Sequence, residues 1–275
     1  MWIPRISLLL LVVLLVTSVR AETVNCTPVT ALPAVISAQG LYCLTGNLAT
    51  SITSDNAITI TANNVTLDLN GWKVGGQAAG PATEATGIYS AANNVTIQNG
   101  IVRGFHTGIH LAGRGATVQN ITADQNTNVG IATEGPGSVV QDNQVVDTGG
   151  STAVANEDAA GIVVFGAGSL VQNNMISGLT ATGSGLEGAI AFDSTATQST
   201  ARGNVVSDTA RPTGGGSSHG IYMLGTPAVA VSNNIVTNFD IGVDYSTGAT
   251  GTYSRNTAIG CTTSYSGGTA GTGND

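Results

Sequence analysis

Residues 108–120 read GIHLAGRGATVQN, and the phrase returns as GIATEGPGSVVQDN at 130–143 and as GIVVFGAGSLVQNN at 161–174. Each copy begins with a Gly-Ile pair, passes through two short apolar segments and ends on Asn. Related pairs stand elsewhere in the chain, at Ala57-Ile58, Gly87-Ile88, Ala189-Ile190, Gly220-Ile221 and Gly242-Val243. Repetition every 21 to 31 residues is typical of a solenoid, in which each repeat packs on its neighbours.

The composition of each repeat indicates β-strands. The apolar segments are rich in Val, Ile and Thr, and Gly and Asn separate them. One segment starts at the Gly-Ile pair, one ends just before the Asn, and one follows it. The sequence therefore predicts an all-β solenoid, a parallel β-helix of about eight coils with three strands per coil.

An Asn follows the second strand of every repeat. The set comprises Asn70, Asn99, Asn120, Asn143, Asn174, Asn204, Asn234 and Asn256. Stacked Asn side chains can hydrogen-bond along the axis of the stack, and Asn also tolerates a left-handed backbone at a tight turn. We therefore expect one asparagine ladder of eight residues along the solenoid.

Two phrases carry a resemblance to a known family. The stretches NNVTLDLNG at 63–71 and NNVTI at 93–97, with the coil length and the repeating Asn, resemble the pectate-lyase-like superfamily over residues 57–261. The stretch YCLTGNL at 42–48 resembles the opening of exported bacterial repeat proteins. The resemblance implies a right-handed parallel β-helix with a substrate groove beside the first strand of each coil.

The two ends of the chain differ from the repeats. Residues 1–21 hold a basic residue, an apolar run over 6–16 and a cleavage position, a pattern typical of a secretory signal peptide. We expect a mature chain from Glu22 that is secreted or periplasmic, with no membrane span after cleavage. Residues 22–56 are expected to cap the first coil, and residues 262–275 to form a C-terminal tail or cap.

The mature chain is acidic but poor in charge. Charged residues make up 9% of the sequence, and residues 22–275 hold six basic and 16 acidic residues, a formal net charge of −10. Nucleic acid and anionic membranes are therefore not expected as partners, whereas a Ser-, Thr- and Asn-rich surface suits a polysaccharide. Cys26 and Cys43 lie close together before the repeats, and a disulfide between them would staple the N-terminal cap.

Three consecutive repeats are longer than the others. Their extra residues lie at about 148–160, 178–188 and 207–219, each between the third strand and the next Gly-Ile pair. Insertions on one face of a solenoid commonly build its binding face. We therefore expect a groove over coils four to six, at the corner to which the family resemblance also points.

The floor of this groove can be predicted from strand alternation. If Ile109 points inward, its neighbour His110 points outward. The outward column is then Thr59, Tyr89, His110, Ala132, Val163, Ala191, Tyr222 and Asp244. Small residues in the middle, flanked by Tyr89, His110 and Tyr222, would suit a sugar chain along the axis. With Glu157, these three aromatic residues are the predicted substrate-binding residues.

The insertions carry the densest set of titratable residues in the chain. The candidate catalytic residues are Asp158, Glu187, Asp193, Asp208, Arg211 and His219. Carboxylates on adjacent coils lie about 5 Å apart at the backbone. They could serve as acid, base or nucleophile in glycosidic cleavage, or bind calcium through oxygen ligands. Arg211 or His219 would contact a uronate or shuttle a proton.

Two functional hypotheses follow. Glu157-Asp158 and Ser218-His219-Gly220 resemble the paired acids and the Gly-His-Gly of polygalacturonase-type hydrolases, but Asp240-Ile241-Gly242 stands where those enzymes have Arg-x-Lys. The first hypothesis is an exported β-helix that binds a polysaccharide and, if it is an enzyme, cleaves it as a lyase or glycoside hydrolase. The alternative is a non-catalytic structural or adhesive protein of the envelope or cell surface.

Overall fold

The computed structural model describes residues 25–208, 216–225, 228–246 and 248–275. The predicted signal peptide and Arg211 lie outside the described residues. Strands dominate the described chain, with a short 3-10 helix at Gln77–Ala79. In chain order the strands are β1 (Thr27–Val29), β2 (Ala34–Ile36), β3 (Gly40–Leu44), β4 (Leu48–Ala49), β5 (Asn56–Ile60), β6 (Val65–Asp68), β7 (Lys73–Gly75), β8 (Thr86–Ser90), β9 (Thr96–Arg103), β10 (Thr107–Leu111), β11 (Thr117–Asp124), β12 (Val129–Thr133), β13 (Val139–Gln141), β14 (Gln144–Val146), β15 (Ala159–Val164), β16 (Leu170–Gln172), β17 (Met175–Ser177), β18 (Glu187–Phe192), β19 (Ser199–Arg202), β20 (Val205–Ser207), β21 (Ser218–Met223), β22 (Ala228–Ser232), β23 (Ile235–Thr237), β24 (Ile241–Tyr245), β25 (Thr250–Ser254), β26 (Thr257–Ile259), β27 (Thr263–Ser266) and β28 (Thr269–Ala270).

The strands form three parallel ladders around one core. The front sheet, as we name the ten-stranded sheet, runs β2-β5-β8-β10-β12-β15-β18-β21-β24-β27. The other two ladders share an 18-stranded sheet, because β9 and β11 run through the corner between them and pair in both. Every pairing is parallel and joins successive coils, so each turn of the chain adds one strand to each ladder. The predicted parallel β-helix with three strands per coil is confirmed.

Both ends of the chain pair more extensively than the sequence suggested. At the N-terminal end β2 pairs with β5 and β3 with β6, so residues 27–49, within the predicted cap, extend the ladders. At the other end β27 pairs with β24 and β28 with β25, so residues 262–275 also continue the helix. These coils were not counted among the eight because they lack the Gly-Ile pair.

A column of stacked aliphatic residues fills the core behind the front sheet. Its members are in register and buried: Ile58, Ile88, Ile109, Ile131, Ile162, Ile190, Ile221 and Val243. Burying each such side chain stabilises the fold by about 1.5–3 kcal/mol. The glycine that precedes most of these residues is required by close packing. At Gly130, for example, a Cβ would lie 2.5 Å from the Val145 side chain and 2.6 Å from the Gly161 carbonyl oxygen.

The repeating asparagines occupy two columns, so the expected single ladder of eight is wrong. Strand register places Gln119 opposite Gln141 and Thr122 opposite Gln144, which aligns Asn120 with Asp142 rather than with Asn143. The first column stands at the corner, with φ between 50° and 66°: Asn70, Asn99, Asn120, Asp142, Asn173, Gly203, Asn233 and Arg255. The second column, one residue later, is buried: Asn143, Asn174, Asn204, Asn234 and Asn256.

The buried column is a continuous hydrogen-bonded ladder. Each side-chain Nδ2 donates to the Oδ1 of the next Asn toward the C-terminus, at 3.0 Å for Asn143 to Asn174 and 2.9 Å for Asn204 to Asn234. From Asn174 onward each Oδ1 also accepts the backbone N–H of the preceding Asn, and Asn143 Oδ1 accepts that of Ile121. The Asn side chains therefore satisfy backbone groups that would otherwise be buried without a partner at this corner.

A second amide ladder runs along the strands before the corner, with the opposite direction of donation. Gln119 Nε2 donates to Gln98 Oε1 at 2.9 Å, and the pattern repeats along the column. The full ladder, from acceptor end to donor end, is Asp68, Gln98, Gln119, Gln141, Gln172 and Arg202. At one end the Asp68 carboxylate accepts from the Gln98 amide, and at the other the Arg202 guanidinium donates to the Gln172 amide oxygen. The charges at both ends therefore complement the aligned amide dipoles.

The N-terminal coil is covalently closed. Cys26 and Cys43 form the expected disulfide, with their Cα atoms 5.7 Å apart. Across the part of the chain that the structure describes, no helix is long and apolar enough to cross a membrane.

Candidate functional site

All three insertions lie between the third strand of a coil and the front sheet. They connect β14 to β15, β17 to β18 and β20 to β21. The first two are held together by backbone pairing of Gly149 with Thr180, and Glu157 and Thr182 exchange two hydrogen bonds of 2.9 Å. These two loops therefore form a wall beside the front sheet, and residues 209–215 of the third lie outside the described residues.

The predicted outward column lies in register across the front sheet. His110 pairs with Ala132, and the pairing continues through Val163, Ala191 and Tyr222. Thr59 and Tyr89 precede this series, and Asp244 follows it. The structure therefore brings these residues onto one face.

Two depressions lie over this face. The first, of about 290 Å³, extends from Thr107 and His110 to Phe165. The second, of about 190 Å³, extends from Asp158 to Tyr222 and Leu224. They share Asp158, Ala160, Val163 and Phe165 as lining, so they are continuous. We name the combined depression the front groove; its floor consists of Ala132, Ala160, Val163, Gly188 and Ala191.

A larger depression, of about 560 Å³, lies at a different corner. Asn70, Gly71, Asn99, Gly100, Ile101, Asn120 and Thr122 line it. It has no titratable side chain, whereas the front groove is walled by the acidic insertions. Titratable side chains therefore line the front groove and not this larger depression.

The N-terminal end of the front groove is aromatic and ion-paired. The rings of Tyr89 and His110 meet edge to face, with centroids 5.3 Å apart, and His110 Nε2 lies 2.7 Å from Glu134 Oε1. Glu157, predicted to bind substrate, instead accepts a 3.0 Å hydrogen bond from Asn128 Nδ2 and lies 3.6 Å from His106 Nε2. Glu157 thus braces the first insertion, and Tyr89 and His110 present rings at the end of the groove.

Two of the predicted catalytic acids are buried together. Glu187 and Asp208 are each 2% exposed, and the two carboxyl groups are close enough to interact electrostatically. Glu187 Oε1 also accepts the Ala181 N–H at 2.9 Å. Burial, together with the charges of Asp208 and Asp240, raises the pKa of Glu187 from 4.5 to about 7. Glu187 lines the wall of the front groove and can hold a proton at neutral pH.

The other two predicted acids line the groove but also hold its loops. Asp158 Oδ1 accepts the Leu186 N–H at 2.8 Å and so ties the first insertion to the second. Asp193 Oδ1 accepts hydrogen bonds from Ser194 Oγ at 2.9 Å and from the Thr195 N–H at 3.4 Å, which closes the turn after β18. Both side chains belong to the groove lining.

His219 lies at the C-terminal end of the groove in a constellation that sequence reasoning missed. Ser217 Oγ is 2.8 Å from His219 Nε2, and Asp244 Oδ2 is 3.0 Å from His219 Nδ1. The latter is an ion-pair contact whose angle departs from that of a hydrogen bond. The His219 ring packs against Tyr222, with centroids 4.4 Å apart. Ser217 directly precedes β21, and His219 and Asp244 lie on the neighbouring strands β21 and β24, so the constellation depends on the path of the loop before β21 and on the register with the next coil.

Calcium binding is one of the alternatives for the acidic residues. Among the residues described by the structure, no group of three or more His, Cys, Asp or Glu side chains has an arrangement that could hold a metal ion. Arg211, the predicted basic member of the site, lies outside the described residues.

Comparison with known proteins defines the fold family. A search of the curated proteins found no sequence match. The crystal structure of the Dettilon tailspike protein superimposes with a TM-score of 0.64 at 18% sequence identity, covering 84% of this chain and 46% of that one. The chain thus spans less than half of that protein, and the likeness concerns the fold. The family model described as "Right handed beta helix region" matches residues 86–263, and the chain belongs to that family.

Proposed function

We propose that this is an exported polysaccharide-binding protein, and that a segment of the glycan lies along the front groove parallel to the solenoid axis. The observation that carries the proposal is a continuous floor of small apolar residues between two aromatic ends. Pyranose rings present apolar faces, which pack on aromatic side chains, and hydroxyl groups, which need polar walls. The acidic insertions supply such walls.

The length of the groove supports a polymeric ligand. From His110 to Tyr222, which both line the groove, the outward column crosses four strand-to-strand steps. At roughly 4.8 Å per step this is roughly 19 Å, which exceeds the size of a single sugar. An extended oligosaccharide segment therefore fits the shape of the groove better than a compact small molecule.

The charge of the groove favours a neutral glycan. Asp158, Glu187 and Asp193 line the groove, Glu134 stands at its end, and no Lys or Arg of the described residues lines either depression. A polyuronate would meet uncompensated negative charge there. We therefore expect neutral chains to bind more tightly than uronic-acid chains.

The binding test uses the purified protein with immobilised and soluble polysaccharides, both neutral and uronic, followed by calorimetry on any ligand found. Ala191→Gln places a longer side chain on the groove floor and should weaken binding at least about tenfold, a loss of about 1.4 kcal/mol. Ala230→Gln is the matched control, since Ala230 is exposed on β22, away from the groove. Equal affinities for wild type and both variants would refute binding in the groove. No binding across the panel would favour the structural or adhesive alternative.

Cleavage of a glycosidic bond in the groove is the second candidate. Glu187 favours it, because its raised pKa allows it to donate a proton near neutral pH. Incubation with the bound glycan and mass spectrometry of the products tests it. Saturated products with added water would identify a hydrolase, and unsaturated products a lyase. Cleavage that survives Glu187→Gln unchanged would exclude Glu187 as the acid.

A further inference from the structure

Three side chains at the C-terminal end of the front groove form a linked series. Ser217 Oγ lies 2.8 Å from His219 Nε2, and His219 Nδ1 lies 3.0 Å from Asp244 Oδ2. His219 and Asp244 are each 6% exposed, whereas Ser217 is half-buried. A hydroxyl, an imidazole and a carboxylate in this order form the arrangement that activates a serine nucleophile.

The burial of His219 and Asp244 suits these roles. A carboxylate at Nδ1 favours the imidazole tautomer that carries its proton on Nδ1 and leaves Nε2 free to accept from a hydroxyl. The Nδ1 contact is not aligned as a hydrogen bond, but such contacts commonly tighten when substrate binds. Tyr222, packed 4.4 Å from His219 between ring centroids, limits rotation of the imidazole.

The backbone around Ser217 is fixed from the neighbouring coil. Its carbonyl oxygen accepts the Glu187 N–H at 3.0 Å. Gly216 packs directly against the backbone of Gly185, leaving no room for a side chain. The nucleophile therefore stands on an anchored segment, which a catalytic geometry requires.

Open space faces this series from the groove. Gly188, the strand partner of His219, lines the floor of the groove. A Cβ added at Gly188 would find only Ala191 nearby, at 3.9 Å. A substrate group can therefore approach His219 over Gly188.

We propose that Ser217, His219 and Asp244 form an acyl-ester hydrolysis centre that removes ester-linked acyl groups from sugar hydroxyls. The sugar part of the substrate rests on the proposed function, since it places the glycan in the adjoining groove. The ester part rests on the three side chains alone. An alcohol is a better leaving group than an amine, so an ester needs less assistance to cleave than an amide.

The reaction balances with water as the only co-substrate. Ser217 Oγ forms a bond to the acyl carbon while His219 Nε2 takes the hydroxyl proton. The bond between the acyl carbon and the sugar oxygen then breaks, and His219 returns the proton to that oxygen. Water next attacks the acyl-serine with His219 as base, which releases the carboxylic acid and restores Ser217. Asp244 acts as a positioning residue that stabilises the imidazolium.

The first experiment treats the purified full protein with p-nitrophenyl acetate and, separately, with a fluorophosphonate probe followed by peptide mass spectrometry. The expected result is ester hydrolysis with a single modified serine, Ser217. Ser217→Ala should lower kcat/KM at least about 100-fold and abolish labelling. Ser184→Ala, at an exposed serine of the preceding insertion, should change neither. Absence of hydrolysis and labelling in a protein shown to be folded would overturn the proposal, as would labelling elsewhere.

Two further variants separate positioning and access from simple loss of structure. Asp244→Asn should lower kcat with little change in KM, because the substrate does not touch residue 244. Gly188→Leu should lower kcat/KM for an acetylated polysaccharide more than for p-nitrophenyl acetate, because it narrows the approach from the groove. Equal effects of Gly188→Leu on both substrates would contradict access through the groove.

The design also distinguishes failure of this inference from failure of the proposed function. Ser217→Ala should bind polysaccharide as wild type does while losing esterase activity. Esterase activity without glycan binding would support the catalytic centre but contradict a sugar ester as its substrate. Glycan binding without esterase activity would overturn the catalytic centre alone.

Discussion

Removal of one rung from the buried asparagine ladder should be among the most damaging single substitutions in the protein. Asn204 is the middle rung and is fully buried. Its Nδ2 donates to the Val171 carbonyl at 3.0 Å and to Asn234 Oδ1 at 2.9 Å. Its Oδ1 accepts the Asn174 N–H at 2.9 Å and Asn174 Nδ2 at 3.0 Å. Asn204→Ala therefore deletes four hydrogen bonds at once.

The expected loss follows from these contacts. Four neutral hydrogen bonds with a net value of about 1 kcal/mol each give about 4 kcal/mol. The Asn174 N–H is then buried without its acceptor, which adds about 1–3 kcal/mol. We expect a loss of about 5–7 kcal/mol in the free energy of unfolding, at the upper end for a point substitution.

The assay is denaturant unfolding monitored by circular dichroism. The matched control is a variant of Asn233, which directly precedes Asn234, the next rung of the ladder. Asn233 stands in the exposed column at φ 56°, and Gly203 occupies the same column one coil earlier. Asn233→Gly should therefore change stability by no more than about 0.5 kcal/mol. A loss below about 1 kcal/mol for Asn204→Ala, or equal losses for the two variants, would refute the distinction between the columns.

Three other perturbations test separate parts of the structure. The pKa of Glu187 is raised from 4.5 to about 7, so the folded chain holds this proton more tightly than the unfolded chain. The contribution of Glu187 to the free energy of unfolding is therefore complete below pH 4.5 and falls by about 3 kcal/mol as the pH rises toward 7. Glu187→Gln should abolish this pH dependence, as denaturant titrations at pH 5 and pH 8 would show. Reduction of Cys26–Cys43, which closes a 17-residue separation, should cost about 3 kcal/mol, and an unchanged thermal midpoint under reductant would contradict this. Arg202→Met removes two contacts to Gln172 Oε1, of 2.9 and 2.8 Å, and should cost at most about 1 kcal/mol because Arg202 is exposed. That last loss should shrink in high salt, as paired unfolding curves would show.

The front sheet could be predicted from the sequence because two simple signals agree there. The Gly-Ile pair marks where each strand begins, and alternation then decides which side chains face outward. With both known, the pairing of His110 with Ala132 and of Ala191 with Tyr222 needs no further information.

The corner column could not be predicted in the same way because Asn suits two environments. It tolerates the left-handed backbone at Asn120, and its amide also satisfies buried backbone groups at Asn143. Counting the residues between successive asparagines treats the two environments as one position. It therefore aligns Asn120 with Asn143, one residue away from its true partner Asp142. The alignment of Gln119 with Gln141 is needed to separate them.

The acids of the site show a similar limit. Glu187 and Asp158 both follow a long insertion, so sequence position does not separate them. Burial does: Glu187 is 2% exposed beside Asp208, whereas Asp158 remains on the groove wall. Which carboxyl is desolvated depends on the path of each loop over the corner, and this path is a property of the folded chain.

The position of the front groove follows from where the solenoid can vary in length. At the amide corner, two residues separate the strands from β13–β14 to β25–β26, because the Asn ladder requires them in register. At the opposite corner the connection ranges from 238–240 after β23 to 147–158 after β14. Since neither amide ladder passes through that corner, the chain can add residues there without breaking stacked hydrogen bonds. Replacing 178–186 by a connection as short as 238–240 should therefore abolish groove binding while the asparagine ladder and its contribution to stability remain.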